Sequence, residues 1–214
     1  MTTREQQTNP IDTSNYLKHT NSNPIQRKLI DRFHQAIAAR VLETAPGSFL
    51  DAGCGEGFVS QYLLERSPGL EITGFDWNPE SVAVASAKNP TETYTVADIT
   101  RLPFPDNSFD ISGCFEVMEH LRTPQAALRE LVRVSRTAVI LSVPHEPYFC
   151  LSNVARGKNL DIRPRGSDPD HRQFWSRQAF RSFVEQEADI VWIGGSFPWT
   201  ICVAEPRTPD LRRP

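Results

Sequence analysis

Apolar residues in the first quarter of the chain recur at helical spacing. Five of them follow one another every four positions: Ile25, Leu29, Phe33, Ile37 and Val41. This spacing places the five side chains on one face of a helix. Asn23 suits the capping position and Pro24 the first helical turn. The pattern therefore predicts an amphipathic helix that starts at Pro24 and ends near Pro46 and Gly47.

Beyond this helix, short apolar runs alternate with amphipathic segments. The runs predict strands at 48–51, 70–76, 93–98, 108–115 and 138–143, and the segments predict helices at 57–66, 79–88 and 124–134. Such an alternation is typical of a parallel sheet covered by helices on both faces. After Pro144 the chain is irregular up to a predicted helix at 177–187. Two final apolar runs joined by Gly194, Gly195 and Ser196 predict a β-hairpin.

Composition and charge limit the classes of protein that fit this pattern. The chain has 214 residues, 39% hydrophobic and 23% charged, which indicates one ordered soluble domain. A formal net charge of -3 argues against a nucleic-acid partner held by bulk charge. No apolar run approaches the roughly 20 residues of a membrane span. The polar N-terminus has no signal-peptide core, so a cytoplasmic location is expected.

The cysteines give no sign of a metal site or a disulfide framework. Cys54, Cys114, Cys150 and Cys202 are single, without a C-x-x-C pair. Four buried, reduced thiols are the expectation. A metal site built from His145, Glu146 and His171 has no supporting spacing, so no metal is predicted.

The stretch FLDAGCGEGF joins the first predicted strand to the next helix and indicates a nucleotide-like ligand. Its glycines, Gly53, Gly55 and Gly57, form G-x-G-x-G, whereas a dinucleotide site prefers G-x-G-x-x-G. Asp51 lies where a diphosphate would bind. A carboxylate there repels phosphate and attracts an ammonium group, which favours a ligand with an amino-acid tail.

The end of the second predicted strand supplies a second acid. Asp76 is placed where a carboxylate can accept hydrogen bonds from ribose hydroxyls. Dinucleotide sites carry the same acid, so Asp76 indicates a ribose without choosing the ligand. Trp77, which follows it, either covers the adenine or packs in the core.

The segment TVADITRLPFPDNSFDISGCFEVMEHL, residues 95–121, completes a resemblance. Together with the glycine loop and Asp76, it resembles the class I S-adenosylmethionine-dependent methyltransferases. The similar enzymes include the small-molecule methyltransferases of ubiquinone and menaquinone biosynthesis. The resemblance implies a Rossmann-like three-layer α/β sandwich whose mostly parallel seven-stranded sheet ends in an antiparallel hairpin. It also implies S-adenosyl-L-methionine as cofactor and S-adenosyl-L-homocysteine as product.

The resemblance also implies a division of the chain. Residues 1–47 form an N-terminal arm and cap helix, 48–205 the methyltransferase domain, and 206–214 a disordered tail. Within the domain, 145–175 form a lid segment on the acceptor side. The cofactor-binding residues that the motifs and the resemblance imply are Asp51, Gly53, Gly55, Gly57, Asp76, Trp77, Asp98, Ile99, Phe115, Glu116 and, from the arm, Tyr16.

The predicted reaction is in-line methyl transfer to a small molecule, with a hydroxyl oxygen as the favoured acceptor. A histidine is the natural base for a hydroxyl proton. His145 follows the fifth predicted strand and His171 precedes the last helix, so both are candidate catalytic residues. His120 is expected to orient the loop that carries it.

The acceptor itself is only broadly defined by the sequence. The aromatic residues of the lid segment suit an aromatic or lipid-like acceptor. Its five basic residues suit an anionic acceptor: Arg156, Lys158, Arg163, Arg165 and Arg172. Nitrogen or carbon atoms, or a ribose or modified nucleoside, could also accept the methyl group. Methyltransferases that modify the amino groups of nucleobases carry an Asn/Asp-Pro-Pro-aromatic turn after the fourth strand. That turn is absent here, so a nucleobase acceptor is disfavoured.

Two further classes of protein compete with a methyltransferase for this pattern. A nicotinamide-dependent oxidoreductase would use the same strand-to-helix glycine loop and the same ribose-binding acid. A non-catalytic module would bind the cofactor without turning over any acceptor.

Overall fold

The computed structural model of the chain describes residues 14–207. The strands are β1 Ser48–Ala52, β2 Glu71–Asp76, β3 Thr93–Val96, β4 Phe109–Phe115, β5 Ser135–Pro144, β6 Ala188–Ser196 and β7 Trp199–Pro206. The helices are α1 Ser14–Thr20, α2 Pro24–Glu43, α3 Phe58–Leu64, α4 Pro79–Lys88, α5 Pro124–Val134, α6 Tyr148–Ala155 and α7 Arg177–Val184, with a 3-10 turn at Met118–His120. Of the predicted disordered tail at 206–214, residues 208–214 lie outside the described residues. The prediction was wrong for the first two positions, because Pro206 ends β7 and Arg207 pairs with Asp189.

The strands form a seven-stranded sheet in the order β3-β2-β1-β4-β5-β7-β6. Strands β1 to β5 pair in parallel, and β7 runs antiparallel to both β5 and β6. The predicted fold class is therefore confirmed. Within the sheet, the chain proceeds outwards from β1 to β3 and then returns to β4 on the other side of β1. Ligands of open α/β sheets bind at such a switch point, at the carboxyl ends of the strands.

Alternate residues of the central strands build two hydrophobic cores, one on each face of the sheet. Leu50 and Leu141 belong to the core that includes residues of α5 and α7. Phe49 and Ile140, their neighbours in sequence, belong to the core that includes residues of α2 and α3. Successive strand side chains point to opposite faces. This explains why the central strands are continuous apolar runs and not alternating ones.

The predicted cap of α2 is confirmed at atomic detail. The Asn23 side-chain oxygen accepts hydrogen bonds from the backbone N–H groups of Ile25 and Gln26, at 2.9 and 3.2 Å. Phe33, Ile37 and Val41 are buried, as the spacing predicted, whereas Leu29 is half-buried and Ile25 in the first turn is exposed. Ile30, which was not in the predicted set, completes the buried face.

The predicted turn of the terminal hairpin was wrong. Gly194, Gly195 and Ser196 are paired residues of β6, and Ser196 lies opposite Trp199, so the chain reverses at residues 197–198. A Cβ on Gly194 would lie 2.3 Å from the Trp192 ring. The glycine therefore makes room for a neighbouring aromatic side chain and does not form the turn.

Two helices were missed by the sequence pattern, α1 and α6. Both are shorter than the helix α2 that the spacing predicted, and α6 lies within the segment interpreted as irregular. Short helices carry too few apolar repeats for periodicity to reveal them. Both flank the site described below. Within residues 14–207, no helix has the length and apolarity needed to cross a membrane.

Leu131 in α5 is fully buried in the core beside the sheet. We expect Leu131→Ala to lower the free energy of unfolding by about 2–5 kcal/mol, because it leaves a cavity that the surroundings fill only in part. The measurement is urea denaturation followed by circular dichroism. The matched change Leu151→Ala removes a side chain that is 57% exposed and should cost about 0.5 kcal/mol or less. Equal losses in the two variants would contradict this description of the core.

Candidate active site

The glycine loop after β1 is fastened to the end of β2 by backbone hydrogen bonds. The N–H groups of Gly53 and Cys54 donate to the carbonyl of Phe75, at 2.8 and 2.9 Å. Gly55 N–H donates to one carboxylate oxygen of Asp76 at 3.0 Å, and Asn78 N–H donates to the other at 2.9 Å. Asp76 therefore holds the loop in place while its carboxylate faces the space beyond the strands.

Two of the loop glycines are required by close approaches. Gly53 has a φ of +76°, and a Cβ there would lie 2.5 Å from a methyl carbon of Val117, in the loop after β4. Gly57 has a φ of +72°, and a Cβ there would meet Asn89 and Ala85 at the end of α4. Gly53 thus lets two loops meet at the switch point, whereas Gly57 lets α3 begin against α4.

A cavity of about 940 Å³ opens at the carboxyl ends of β1, β2 and β4. Ligand cavities commonly measure about 300–1,000 Å³. The predicted cofactor-binding residues that line it are Asp51, Gly53, Gly55, Asp76, Trp77, Asp98, Ile99, Phe115 and Glu116. The other two, Gly57 and Tyr16, do not line it. The Tyr16 ring packs 6.1 Å from Phe58 between centroids, so its contact with a cofactor stays a prediction.

The three predicted acids have different environments. Asp51 is buried and accepts a hydrogen bond from Ser60 Oγ at 2.6 Å. Burial raises the pKa of Asp51 to about 6, and the nearby charge of Asp76 acts in the same direction. Asp98 is exposed, and hydrogen bonds from the backbone and hydroxyl of Thr100 lower its pKa. Asp51 is therefore the acid with most to gain from a cationic ligand group.

Trp77 is 80% exposed while it lines the cavity. A core role, one of the two interpretations of its sequence position, is therefore ruled out by the structure. Its indole ring is therefore accessible to a planar ligand group.

The sequence reasoning missed Glu56, a fully buried acid in the glycine loop. Its two carboxylate oxygens accept hydrogen bonds from Asn15 in α1 and Ser81 in α4. Glu56 and Asn15 both line the cavity. From the sequence, an acid inside a glycine loop is expected at the surface. Only the packing of α1 reveals that Glu56 is buried and binds this helix.

A stacked histidine pair holds α1 over the same region. His19 stacks on Phe58 with ring centroids 4.3 Å apart. His19 Nδ1 donates to the carbonyl of Asn15 at 2.9 Å, which leaves Nε2 to accept from His34 Nε2 at 3.2 Å. Burial lowers the pKa of His19 to about 3 and that of His34 to about 4, so both rings are neutral near pH 7. Helix α1 of the predicted arm therefore packs against the glycine loop, α3 and α2.

A second cavity of about 770 Å³ adjoins the first. The two share four lining residues: Asn15, Lys18, Glu116 and His120. The second cavity is also lined by Glu119, His171 and Phe149 on one side and by Arg156 and Lys158, from the predicted lid segment. The other lid arginines, Arg163, Arg165 and Arg172, do not line it.

Three polar side chains gather where the second cavity meets the 3-10 turn. Glu119, His120 and His171 each offer one potential ligand atom, and these atoms all lie within 4.8 Å of one another. Burial, followed by the neighbouring charge of Glu116, raises the pKa of Glu119 well above its usual range. Burial, followed by the proximity of His120, lowers the pKa of His171 to about 4. His171 is therefore a neutral imidazole near pH 7.

The two predicted catalytic histidines are placed differently. His171 lines the second cavity. His145 lies just after β5, with its ring 5.0 Å from that of Tyr148 between centroids, and its side chain lines neither cavity. The structure therefore brings His171, and not His145, to the candidate site.

Residues 50–143 match the family described as Methyltransferase domain. The matched segment contains the glycine loop, Asp76, Asp98 and the Glu116–His120 turn, all of which line or border the first cavity. This segment of the chain is therefore a methyltransferase domain, as the resemblance to the class I S-adenosylmethionine-dependent methyltransferases predicted. The predicted family and cofactor are thereby confirmed.

Curated relatives of this chain are of moderate identity. Demethylmenaquinone methyltransferase of Thermus thermophilus is 33% identical over 123 residues, covering 54% of this chain and 56% of the relative. Malonyl-[acyl-carrier protein] O-methyltransferase of Enterobacter lignolyticus is 30% identical over 161 residues, covering 75% and 60%. The chain thus spans somewhat over half the length of these relatives.

A solved structure shares the fold. Magnesium protoporphyrin IX methyltransferase from Synechocystis, crystallised with bound S-adenosylhomocysteine, superposes with a TM-score of 0.67 at 20% identity. The match covers 86% of this chain and 88% of that one.

The side chains that line the first cavity suit the predicted donor chemically. Asp76 offers a carboxylate suited to ribose hydroxyls, Trp77 an exposed ring suited to adenine, and Asp51 a buried carboxyl suited to the ammonium of the methionine part. The close approach at Gly53 leaves no room for a side chain at that position of the loop. The contacts of Asp76, Trp77 and Asp51 with S-adenosylmethionine stay predictions.

We expect Asp76→Asn to weaken S-adenosylhomocysteine binding about 30-fold, corresponding to about 2 kcal/mol of lost hydrogen bonding. Isothermal titration calorimetry measures this affinity. The matched control is Asp189→Asn, which changes an exposed acid on β6 that pairs with Arg207. This variant should bind S-adenosylhomocysteine like the parent protein. Unchanged affinity in Asp76→Asn would remove this carboxylate from the cofactor site.

The raised pKa of Asp51 predicts a pH-dependent cofactor affinity. Since its folded pKa is about 6, above the ordinary 3.8, the carboxyl is mostly neutral at pH 5 and ionised at pH 7. Only the ionised form attracts the ammonium group. Affinity for S-adenosylhomocysteine should therefore rise about tenfold from pH 5 to pH 7.

Calorimetry across this pH range should show a nearly flat profile for Asp51→Asn, with weaker binding throughout. A parent protein whose affinity does not change between pH 5 and pH 7 would show that Asp51 does not pair with the ligand.

Proposed function

We propose that this protein transfers the methyl group of S-adenosylmethionine to a hydroxyl oxygen of a small molecule by in-line displacement. When bound, S-adenosylmethionine supplies a methyl group activated by a sulfonium. One observation carries the proposal: the cofactor cavity and the second cavity share a wall formed in part by Glu116 and His120. An acceptor in the second cavity would therefore lie beside the donor, as methyl transfer requires.

The two sides of the second cavity suit two parts of an acceptor. Glu119, His120 and His171 form a polar group that can bind a hydroxyl and favour loss of its proton. Arg156 and Lys158 line another part of the cavity, where they can bind a carboxylate or phosphate. Phe149 supplies an apolar wall, with its ring 5.4 Å from that of His171 between centroids. We infer a hydroxylated acceptor that carries an anionic group.

The rest of the site positions the reactants and excludes water. Helix α1 contributes Asn15 and Lys18 to both cavities. The hydrogen bond from Asn15 to Glu56 fixes that helix to the glycine loop. Water would compete for the acceptor position, so a cover of this kind favours transfer.

The names of the relatives support the proposal to different degrees. The relative from Enterobacter lignolyticus is named an O-methyltransferase, which supports oxygen as the acceptor atom. The relative from Thermus thermophilus is named for demethylmenaquinone, which supports a small acceptor. A panel of acceptors that differ in the receiving atom separates oxygen from nitrogen, carbon and nucleoside acceptors.

We expect turnover with hydroxylated aromatic carboxylates, measured as release of S-adenosylhomocysteine. The panel also contains matched compounds without the carboxylate, amines in place of the hydroxyl, compounds with an activated ring carbon, and a nucleoside.

His171→Ala should lower kcat by about 100-fold with little change in cofactor affinity, since general acid–base groups contribute about 10²–10⁴-fold.

The control for this test is Asp161→Asn, which changes an exposed acid of the same segment that does not line the second cavity. Methylation confined to the amines, the ring carbon or the nucleoside would show that the acceptor is not a hydroxyl of the proposed small-molecule class. Cofactor binding without turnover of any compound would favour a non-catalytic module.

A further inference from the structure

We propose that Glu119, His120 and His171 bind one divalent cation beside the wall between the two cavities. One carboxylate oxygen and two imidazole nitrogens lie within 4.8 Å of one another. Small side-chain rotations would bring atoms at this separation to the roughly 2.0–2.2 Å metal–ligand distances of Glu and His. His120 lines both cavities, and Glu119 and His171 line the second.

Backbone hydrogen bonds bring these distant residues together. Glu119 and His120 belong to the turn after β4, whereas His171 lies in the loop before α7. The N–H groups of Arg172 and Gln173 both donate to the carbonyl of Glu119, at 2.7 and 3.0 Å. The relative positions of turn and loop are therefore fixed by main-chain contacts that do not use the three side chains.

The orientation of His120 is typical of a metal ligand. Its Nδ1 donates to the carbonyl of Asp170 at 3.3 Å. This bond consumes the ring proton at Nδ1, so Nε2 presents a lone pair. Metal-binding histidines almost always donate their other ring N–H to a carbonyl, a carboxylate or water, which fixes the ring and its tautomer.

Two buried polar atoms of the group lack a hydrogen-bond partner among the described residues. These are Oε2 of Glu119, whose side chain is 1% exposed, and Nδ1 of His171. A purely structural hydrogen-bonded cluster would satisfy such atoms, because leaving one unpaired costs about 1–3 kcal/mol. A cation that accepts their lone pairs removes that cost.

The local charge also favours a cation. Glu116 is a second largely buried carboxylate, and its charge acts on Glu119. Within residues 14–207, no Lys or Arg lies within ion-pair distance of either glutamate. Lys18 acts on both only from farther away. A buried carboxylate without a close cationic partner is costly, so such a group takes up either a proton or a cation.

The donor set indicates the class of ion. Two imidazoles and one carboxylate suit first-row transition-metal ions such as Zn²⁺ and Co²⁺ and, more weakly, Mn²⁺, whereas Mg²⁺ and Ca²⁺ prefer all-oxygen sites. Three protein ligands leave coordination positions open for an acceptor oxygen from the second cavity. Such an ion binds a hydroxyl and lowers its pKa. This role rests on the proposed function; cation binding itself does not.

The test uses the full chain without a histidine tag, freed of metal with a chelator. Mn²⁺ is titrated and followed by calorimetry and by electron paramagnetic resonance. We expect one ion per chain and at least about a tenfold loss of affinity in Glu119→Gln and in His171→Ala, the size of effect seen for perturbed metal sites. Asp161→Asn is the matched control. It removes an exposed charge from the same segment between α6 and α7, at a residue that does not line the second cavity, so affinity should change less than about threefold.

Pulsed electron paramagnetic resonance of Mn²⁺ bound to the parent protein identifies the ligand atoms directly. This measurement does not depend on how a variant folds. The parent protein should show coupling to imidazole nitrogen. Absence of stoichiometric Mn²⁺, Co²⁺ and Zn²⁺ binding, absence of nitrogen coupling, or parental affinity in Glu119→Gln would each overturn the site. Calorimetry with S-adenosylhomocysteine in chelator tests the cofactor cavity separately, so cation binding can fail while the proposed function survives, and the reverse.

Discussion

The attachment of the glycine loop to the end of β2 is the constraint on which the site depends. Three consecutive N–H groups, from Gly53 to Gly55, reach the carbonyl of Phe75 and the carboxylate of Asp76. This fixes the mouth of the switch point, where parallel strands leave their carboxyl ends open. Asp76 is therefore both part of the scaffold and part of the binding surface, and its burial among backbone donors keeps the carboxylate in one orientation.

Around this mouth, each flanking element adds one wall. Helix α1 closes the first cavity through the bond of Asn15 to Glu56 and the neutral stack of His19 on His34. The turn after β4 supplies Glu116 and His120 to the boundary of both cavities. The two cavities thus meet at a short stretch of backbone that the sheet itself holds in position.

The polar group beside that boundary concentrates unusual electrostatics in a small volume. Glu119 has a raised pKa and His171 a lowered one, both mainly through burial, so removal from water shifts both towards their neutral forms. Neutral groups with unpaired lone pairs at a cavity wall are suited to bind a hydroxyl, a proton or a metal ion. The chemistry of the second cavity is therefore set by desolvation as much as by residue type.

The sequence determined what depends on local spacing: the parallel core from β1 to β5, the cap of α2, and many of the residues that line the first cavity. These follow from periodicity and from short motifs, whose members are close along the chain. Only the tertiary structure decided which of His145 and His171 faces a cavity, that Glu56 binds α1, and where the final hairpin turns. Those outcomes depend on contacts between segments far apart in the chain, such as Glu119 with the loop at 170–173. No local pattern encodes such contacts, because the packing energy that selects them exists only once the sheet has brought the segments together.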